Sequence, residues 1–322
     1  MSDLKKGYTT GVHASFAFKS ALEVYLANRQ NSICKTFKSN NDDLDVTKGC
    51  EIIVSISSTL DDLTLNTIFH KPYKIKSDNT TLNIYAGIGV GVVTKDGLKP
   101  PKDYAAINPT PLQAIKDIFL SYSASIDIKE LYCTIGVTNG NEIAKQTANA
   151  KVGVLGGISI LGTTGWVKPI SASAYINSIE AELDFAKANG FKTIVFTLGN
   201  TAFKQTKDLD DSYYVIEIGN FIYDGINLAV EKDFEYIKLW LGIAKSVKIA
   251  QGFKNTHNRF GQIDFSIVQT WCKNKNISDC LTIKRVRELL GNDVEQFDNI
   301  IVEKTKDQLK SWFGKDIEVK IC

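Results

Sequence analysis

The chain has 322 residues, of which 43% are hydrophobic and 23% are charged. This composition is typical of a globular protein that is long enough to form two cores. The 38 basic residues nearly balance the 36 acidic ones, which argues against a nucleic-acid-binding surface. The sequence shows neither a signal peptide at its start nor an apolar run of about 18 residues. The expectation is therefore a cytoplasmic protein that binds neither membranes nor nucleic acid.

The six cysteines show no CxxC spacing. This spacing pattern argues against a structural zinc site and favours reduced thiols in an intracellular protein. No metal ligands are predicted.

In the first half of the chain, the sequence pattern predicts mainly strands. A helix with one apolar face is predicted over Gly11–Leu26. Strands are then predicted at Glu51–Ser57, Leu63–His70, Thr81–Tyr85, Val90–Thr94 and "LYCTIGV", with helices at "NPTPLQAIKDIFLSY" and Asn141–Ala148. Successive strands with a few helices predict an α+β domain over residues 1–149.

After residue 150, strands and helices alternate. The predicted strands are Val152–Leu155, Thr193–Leu198, Tyr214–Ile218, Tyr236–Leu241 and a final edge strand, "DIEVKI". The predicted helices are Ala172–Ala188, Phe221–Glu231, Ile243–Ala250 and three near Phe260–Lys273, Thr282–Leu290 and Phe297–Trp312. This alternation predicts an α/β domain with a mostly parallel sheet over residues 150–322.

Four of the predicted strand ends carry glycine or polar residues. They are Gly156-Gly157 with Gly162–Gly165, then Gly199-Asn200, Gly219-Asn220 and Gly242. Ligands of open α/β sheets bind beyond the carboxyl ends of the strands, and glycines let a backbone approach a ligand. The first loop, "GGISILGTTG", is longer than an ordinary βα loop, which favours a ligand site over tight turns alone.

The glycine pattern does not specify the ligand. The loop lacks GxxxxGK[ST], which argues against a P-loop NTPase. Neither "GIGVGV" nor "GVLGG" is GxGxxG, and no acidic residue closes the strand Thr193–Leu198. These absences argue against an ordinary NAD site and against the commonest S-adenosylmethionine fold. The residues alone predict a small-molecule site at the carboxyl edge of a parallel sheet.

The remaining candidate site residues are found among the three histidines, the residues near them and one lysine. His13 follows "GYTTG" at a helix start, where Thr9 or Thr10 either caps the helix or binds a ligand. His257 lies in the polar loop "GFKNTHNRF", which is favoured as a functional loop, whereas a packing role is favoured for His70. Lys245 lies near a helix start, where an anionic ligand would offset the unfavourable helix dipole.

Five segments carry a family resemblance. They are "KKGYTTGVHASFAFKSAL", "GIGVGVVTKDGLKPPKDYAAINPTP", "NGNEIAKQTANAKVGVLGGISILGTTGWVKPIS", "IGNFIYDGINLA" and "GIAKSVKIAQGFKNTH". In this order they closely resemble the CbiD family, the cobalt-precorrin-5B C1-methyltransferases of anaerobic cobalamin biosynthesis. The resemblance implies S-adenosyl-L-methionine-dependent methylation of ring carbon 1 of a corrinoid substrate, giving cobalt-precorrin-6A. Cobalt would arrive only inside the substrate, and a homo-oligomeric state stays open.

The resemblance and the residue patterns together give a set of expected site residues. His257 is expected to be catalytic, as a general base or a hydrogen-bond donor. The residues expected to bind S-adenosyl-L-methionine are Gly156, Gly157, Ser159, Gly162, Thr163, Thr164 and Asn220. The residues expected to bind substrate are Thr9, Thr10, Gly11, His13, Lys245, Asn255 and Thr256. Because cofactor sites favour domain interfaces, Gly7–Gly11 and Asn255–His257 are expected to face one cleft.

Two departures from the family pattern keep other functions open. Val12-His13 stands where the family usually has Thr-Cys, and Gly242 stands where the family usually has the histidine of "GHIGK". One alternative is a non-catalytic tetrapyrrole-binding protein that has lost this histidine. The other is an NAD(P)-linked oxidoreductase that uses the same sheet edge.

Overall fold

A computed structural model describes residues 7–39, 46–162, 166–167, 172–272 and 275–322. Its contacts divide the chain into two compact units, Met1–Ala174 and Tyr175–Cys322. The roles expected for residues 1–149 and 150–322 stay predictions.

The first unit contains both strands and helices. Its strands are β1 Gly7–Tyr8, β2 Ser32–Phe37, β3 Glu51–Ser57, β4 Tyr73–Lys76, β5 Thr81–Ala86, β6 Gly89–Val90, β7 Val92–Val93, β8 Glu130–Val137, β9 Val154–Leu155, β10 Gly157–Ile158 and β11 Trp166–Val167. Its helices are α1 Thr10–Asn28, α2 Pro109–Tyr122 and α3 Gly140–Ala144.

A five-stranded sheet organises the first unit, in the order β2-β3-β8-β5-β4. All of its pairs are antiparallel except β5 with β8. Alternation along β3 buries Ile52, Val54 and Ile56 on one face, in the same core as apolar residues of α1 and α2. The α+β class predicted for this part of the chain is confirmed.

Helix α1 follows from its sequence pattern. Thr9 caps it, because its Oγ1 accepts a hydrogen bond from the Val12 N–H at 3.4 Å. Its apolar face buries Ala14, Phe18 and Leu22 completely. The helix extends slightly beyond the predicted Gly11–Leu26 at both ends.

Edge elements of this sheet differ from the prediction. The predicted strand Leu63–His70 forms only an isolated bridge between Leu65 and Gly87. The edge strands β2 and β4 were not predicted. In β2, most side chains on one face stay exposed, so the residues lack the apolar alternation that marks a buried strand. These edges form by antiparallel pairing of β2 with β3 and of β4 with β5.

The segment around Val154–Leu155 corrects a second prediction. It was expected to be the first strand of the parallel sheet, but β9 pairs antiparallel with β7 and β10 pairs with β6 of the first unit. Gly157 and Gly89 make this pairing possible, since a Cβ at Gly157 would lie 2.3 Å from the carbonyl of Gly89. The glycine loop therefore does not follow a strand of the parallel sheet.

The second unit contains the parallel sheet. Its strands are β12 Thr193–Leu198, β13 Tyr213–Glu217, β14 Tyr236–Leu241 and β15 Glu318–Ile321, in the order β13-β12-β14-β15. All three pairs are parallel, and the predicted edge strand near the end of the chain is β15. The predicted α/β class with a mostly parallel sheet is confirmed.

Helices surround this sheet. They are α4 Ala172–Ala188, α5 Asn200–Lys204, α6 Ile222–Glu231, α7 Ile243–Ala250, α8 Phe265–Trp271, α9 Ile283–Leu290 and α10 Val294–Phe313. Val247 of α7, Val286 of α9 and Ile301 of α10 share one buried core. Among the described residues, no helix combines the length and apolar character needed to cross a bilayer.

None of the six cysteines forms a disulfide, and four of them are buried. Burial raises the pKa of the Cys133 and Cys272 thiols, which keeps these groups protonated. No group of potential metal-ligating side chains occurs in the parts of the chain that the structure describes.

Candidate functional site

Three strand ends of the second unit converge at one edge of its sheet. Because β12, β13 and β14 run parallel, their carboxyl ends lie at the same edge, followed by Gly199, Gly219 and Gly242. Gly199 and Gly242 precede α5 and α7 directly. Three of the four predicted strand ends therefore meet, whereas the Gly156–Gly157 loop belongs to the other unit.

Asn220 connects this edge to the loop that carries His257. The Thr256 N–H donates to the Asn220 carbonyl at 3.2 Å. The Thr256 hydroxyl donates to Asn220 Oδ1 at 2.9 Å. Thr256 is completely buried, so these bonds anchor the loop. The sequence placed Asn220 and Thr256 in separate motifs, and the fold brings them into contact.

Lys245 joins the same cluster. Its ammonium donates to Asn220 Oδ1 at 2.8 Å and to the Thr256 carbonyl at 3.1 Å. These two bonds use two of the three ammonium protons, which leaves one donor for a ligand. Burial and the neighbouring charge of Lys248 lower the Lys245 pKa. An anion bound here would offset both effects.

Lys248 was not among the predicted site residues, but it is the most highly connected side chain of the cluster. It is 5% exposed, and its ammonium donates to Thr256 O at 3.1 Å, Asn258 Oδ1 at 2.8 Å and Gly261 O at 2.9 Å. Burial lowers its pKa. No carboxylate of the described chain forms an ion pair with Lys245 or Lys248 within 4.0 Å.

A sequence signal for Lys248 existed in its neighbours. Val247 and Ile249 flank it on α7, and both are buried. A lysine between two core positions, one turn after Lys245, lies close to the apolar face of the helix. A buried lysine needs partners, and here they are neutral oxygens.

His257 lies at the exposed tip of this loop. Asn255 Oδ1 accepts from the His257 N–H at 3.0 Å, which closes a local turn. The Arg259 N–H donates to His257 Nδ1 at 3.2 Å. A neutral ring in this arrangement carries its proton on Nε2. The imidazole is accessible, with one nitrogen held by the loop and the other able to meet a ligand.

The cluster can therefore support two kinds of chemistry. Lys245 presents an uncompensated cation, which suits a carboxylate or another anion. His257 presents an imidazole, the side chain most suited to moving a proton near neutral pH. The structure brings together Asn220, Lys245 and the segment Asn255–His257, which come from two of the segments that carry the family resemblance.

The candidates near the start of the chain use their polar atoms within the first unit. Thr9 caps α1, and a Cβ at Gly162 would lie 2.7 Å from Thr9 Oγ1. Thr10 Oγ1 accepts from the Leu161 N–H at 2.8 Å and donates to the Leu161 carbonyl at 3.2 Å. The Gly11 N–H also donates to that carbonyl, at 2.8 Å. Helix capping and strand docking thus account for this motif, and its substrate role stays a prediction.

His13 is buried, and both of its ring nitrogens have protein partners. The Ser39 N–H donates to Nε2 at 3.2 Å, and Nδ1 lies 3.2 Å from Thr36 Oγ1. Nε2 must be unprotonated to accept, so the ring is neutral and donates from Nδ1. Burial and the charge of Lys38 lower the His13 pKa. Nothing in this geometry leaves a ring nitrogen for substrate, and the predicted role is untested.

In the other predicted loop, contacts within the protein explain why Gly156 and Gly157 are glycines. Asn66 Nδ2 donates to the carbonyl of Gly156 at 2.8 Å, and Gly156 has a φ of +77°. Asn149 Nδ2 donates to the carbonyl of Gly157 at 3.2 Å. Ser159 is half-buried. Thr163 and Thr164, also predicted to bind cofactor, lie outside the described residues.

Comparisons with known proteins identify the family. A family model described as CbiD matches residues 23–169. A cobalt-precorrin-5B C(1)-methyltransferase from Methanocaldococcus jannaschii is 35% identical over 271 residues, which cover 83% of this chain and 68% of that protein. The chain belongs to the CbiD family.

Two further relatives of the same name agree with this assignment. A protein of the same name from Methanococcus aeolicus is 33% identical and covers 89% of this chain and 75% of its own length. One from Geobacter metallireducens is 28% identical, and the match covers 99% of this chain and 95% of that protein. A crystal structure of a cobalamin biosynthesis protein (cbiD) from Archaeoglobus fulgidus is 22% identical, with a TM-score of 0.36, and covers 74% of this chain and 76% of that one.

Gly242 is one of the two positions at which the sequence was interpreted as departing from the usual CbiD pattern. Its backbone is extended, with φ −73° and ψ 149°, so any residue could occupy it. A Cβ built there meets nothing within 4 Å. The space beside Lys245 is therefore compatible with a larger side chain, and glycine is not required by the fold.

Proposed function

We propose that this protein is a cobalt-precorrin-5B C(1)-methyltransferase. The observation that supports this best is the family membership, with a relative of that name 35% identical over 83% of the chain. The site at the carboxyl edge of the second unit is chemically suited to the reaction. It combines cationic donors with an exposed imidazole, and no observation favours hydride transfer.

The methyl donor we infer is S-adenosyl-L-methionine, which supplies an electrophilic methyl group bound to a sulfonium. The predicted residues partly fit it. Asn220 uses its amide oxygen for Lys245 and Thr256, so its amide nitrogen can donate to the cofactor. The glycine segment 156–162 offers mainly backbone groups and Ser159. These cofactor contacts are proposals, as are those of Thr163 and Thr164.

Lys245 would bind the substrate. A corrinoid precursor carries acetate and propionate arms, and a carboxylate can accept the ammonium proton that Asn220 and Thr256 leave unused. Such a contact fixes the macrocycle relative to His257. Alignment of donor and acceptor contributes up to about 7–11 kcal/mol to a transfer reaction.

His257 would assist at the reacting ring. In methyl transfer, the bond from carbon 1 to the methyl carbon forms while the sulfonium–methyl bond breaks, and S-adenosylhomocysteine leaves. A ring carbon becomes more nucleophilic when a nearby base or hydrogen-bond donor stabilises the developing charge. Because Nδ1 accepts from the Arg259 N–H, the neutral His257 ring presents Nε2–H, which suits the hydrogen-bond-donor form of this role.

The activity itself can be tested anaerobically. Purified protein is incubated with cobalt-precorrin-5B and S-adenosyl-L-methionine that carries an isotopically labelled methyl group. Appearance of one labelled methyl on carbon 1, together with stoichiometric S-adenosylhomocysteine, is the expected result. Tight binding of the corrinoid without any transfer would overturn the enzymatic proposal and indicate a tetrapyrrole-binding protein.

Two assignments of the first unit remain proposals. Thr9, Thr10, Gly11 and His13 were predicted to bind substrate, although their described polar atoms already have protein partners. The prediction that Gly7–Gly11 and Asn255–His257 face one cleft also stands as a prediction. Substitutions at Lys245 should affect substrate binding whether or not these residues contribute.

A further inference from the structure

The loop that carries His257 is held at three points by one side chain. Lys248 Nζ donates to the carbonyl of Thr256, to Oδ1 of Asn258 and to the carbonyl of Gly261. The first two acceptors flank His257 in sequence, and the third ends the 3₁₀ turn that follows it. A single ammonium therefore connects the residues before and after the proposed catalytic group.

The burial of Lys248 requires this arrangement. The side chain is 5% exposed, and none of the described carboxylates lies within 4.0 Å of its ammonium. A buried ammonium without a counter-ion is costly unless all of its protons are hydrogen-bonded. The three acceptors use all three protons. Lys248 consequently has no proton left for a ligand.

Local bonds alone would fix the imidazole less well. Asn255 closes a turn onto the His257 N–H, and the Arg259 N–H reaches His257 Nδ1 at 3.2 Å. Both contacts lie within five residues of exposed loop and depend on the path of the backbone. Asn220 and Lys245 hold the loop at Thr256, before His257, whereas Lys248 also ties Asn258 and Gly261, after His257, to a packed helix.

We infer that Lys248 is a positioning residue, which sets the orientation and tautomer of the His257 imidazole by clamping residues 256–261. This inference deepens the proposed function and rests on it, because His257 has its role only in that reaction. Lys245 and Lys248 then differ in their tasks: Lys245 keeps one proton for the substrate beside its bond to Thr256, whereas Lys248 uses all of its protons to order the loop.

The direct test observes the His257 ring by NMR in the full-length protein without substrate. Only three histidines are present, His13, His70 and His257. In the wild type, labelled His257 should show an acceptor-type Nδ1 and a protonated Nε2. In Lys248→Met, which fills the space without donors, the two nitrogen signals should approach each other as the tautomers mix. The signals of His13 and His70 should stay unchanged.

A matched control separates loop order from general stability. Lys232 is a partly buried lysine of the same unit that bonds to Asp184 on α4. Lys232→Met removes a comparable interaction without touching residues 256–261. It should leave the His257 signals as in the wild type. Equal changes in both variants, or unchanged His257 signals in Lys248→Met, would overturn the inference.

Kinetics provide a second readout. A misplacement of about 1 Å can cost roughly 10²-fold in rate, so kcat should fall by that order in Lys248→Met with little change in KM. Lys248→Arg should also lose kcat, since a planar guanidinium cannot reproduce three convergent bonds. Full activity in Lys248→Arg would show that the positive charge is sufficient, and it would contradict the requirement for three convergent hydrogen bonds. If Lys248→Met does not fold, Asn258→Ala removes one acceptor and should give a smaller change in the same signals.

The two proposals fail in different ways. Altered His257 signals in Lys248→Met, with no methyl transfer by the wild type, would leave the positioning role intact and refute the proposed function. Methyl transfer by the wild type, with unaltered His257 signals in Lys248→Met, would support the proposed function and refute the positioning role.

Discussion

The segment 154–162 and the loop 254–261 contrast in how their sequences relate to their structures. The first is rich in glycine, and its glycines permit close contacts, such as that between Gly157 and the Gly89 carbonyl. The second has less conspicuous residues, yet Asn220, Lys245 and Lys248 all direct polar atoms at it.

This difference shows what marks a site. A glycine-rich loop indicates that backbones come close together, and the neighbour can be another strand as well as a ligand. Convergent donors without a counter-ion, such as Lys245 beside Lys248, are harder to explain by packing alone. Four measurements test this contrast.

Removal of the His257 imidazole should have the largest effect. His257→Ala should lower turnover by about 10²–10⁴-fold, the usual contribution of an acid–base group, with S-adenosyl-L-methionine affinity nearly unchanged. Steady-state kinetics and calorimetry measure the two quantities. His257→Gln is the control, because it keeps a donor and an acceptor. If His257 only orders the loop, His257→Gln retains most of the activity, and turnover near wild type in His257→Ala would end the catalytic proposal.

Gly157→Val addresses the other side of the comparison. If Gly157 binds S-adenosyl-L-methionine, as the sequence predicts, this substitution should weaken cofactor binding with nearly unchanged stability. The structure instead predicts a loss of about 1–3 kcal/mol in unfolding free energy, because the new Cβ would clash with Gly89. Urea unfolding measures this loss.

The control for this variant is Gly242→Ala. Gly242 has an extended backbone, and its Cβ would meet nothing within 4 Å, so its unfolding free energy should stay close to wild type. Gly157→Val with wild-type stability and lost cofactor affinity would restore the glycine loop as the main ligand site.

Lys245→Met should raise the KM for the corrinoid roughly tenfold to a hundredfold, since a charge-assisted hydrogen bond contributes about 1.5–3 kcal/mol. The lowered Lys245 pKa means that its ammonium deprotonates at a lower pH than that of an exposed lysine. The KM of the wild type should therefore rise as the pH becomes alkaline. Lys245→Arg stays charged and should show a flatter profile, whereas identical profiles would exclude Lys245 as the titrating group.

The smallest effect is expected at His13. Its pKa is lowered in the folded protein, mainly by burial, so the unfolded chain binds more protons between that pKa and the ordinary value of 6.5. Its contribution to stability is present above pH 6.5 and is lost as the pH falls through the lowered pKa. Unfolding midpoints from pH 7 to pH 5 should decline less in His13→Gln. A steeper decline in that variant would contradict this account.

Much of the second unit could be predicted from its sequence. The bounds of β12 and β14 and of α4 and α7 match the prediction, since long apolar runs and helical periodicity are local signals. The shared edge of Gly199, Gly219 and Gly242 could be predicted from the rule that parallel strands end at one edge, whereas the contact of Thr256 with Asn220 could not. The role of Lys248 could not, because its three acceptors lie eight to thirteen residues away along a loop of irregular path.

The sequence by itself determined the family, the two fold classes and the residue types available for chemistry. Only the tertiary structure decided that Val154–Leu155 pairs with Val92–Val93 instead of the parallel sheet. Strand periodicity is the same in either sheet, whereas the partner depends on contacts between residues far apart in the chain. The same reason applies to Lys248. The role of a buried ammonium depends on the acceptor atoms around it, and only the fold brings those atoms together.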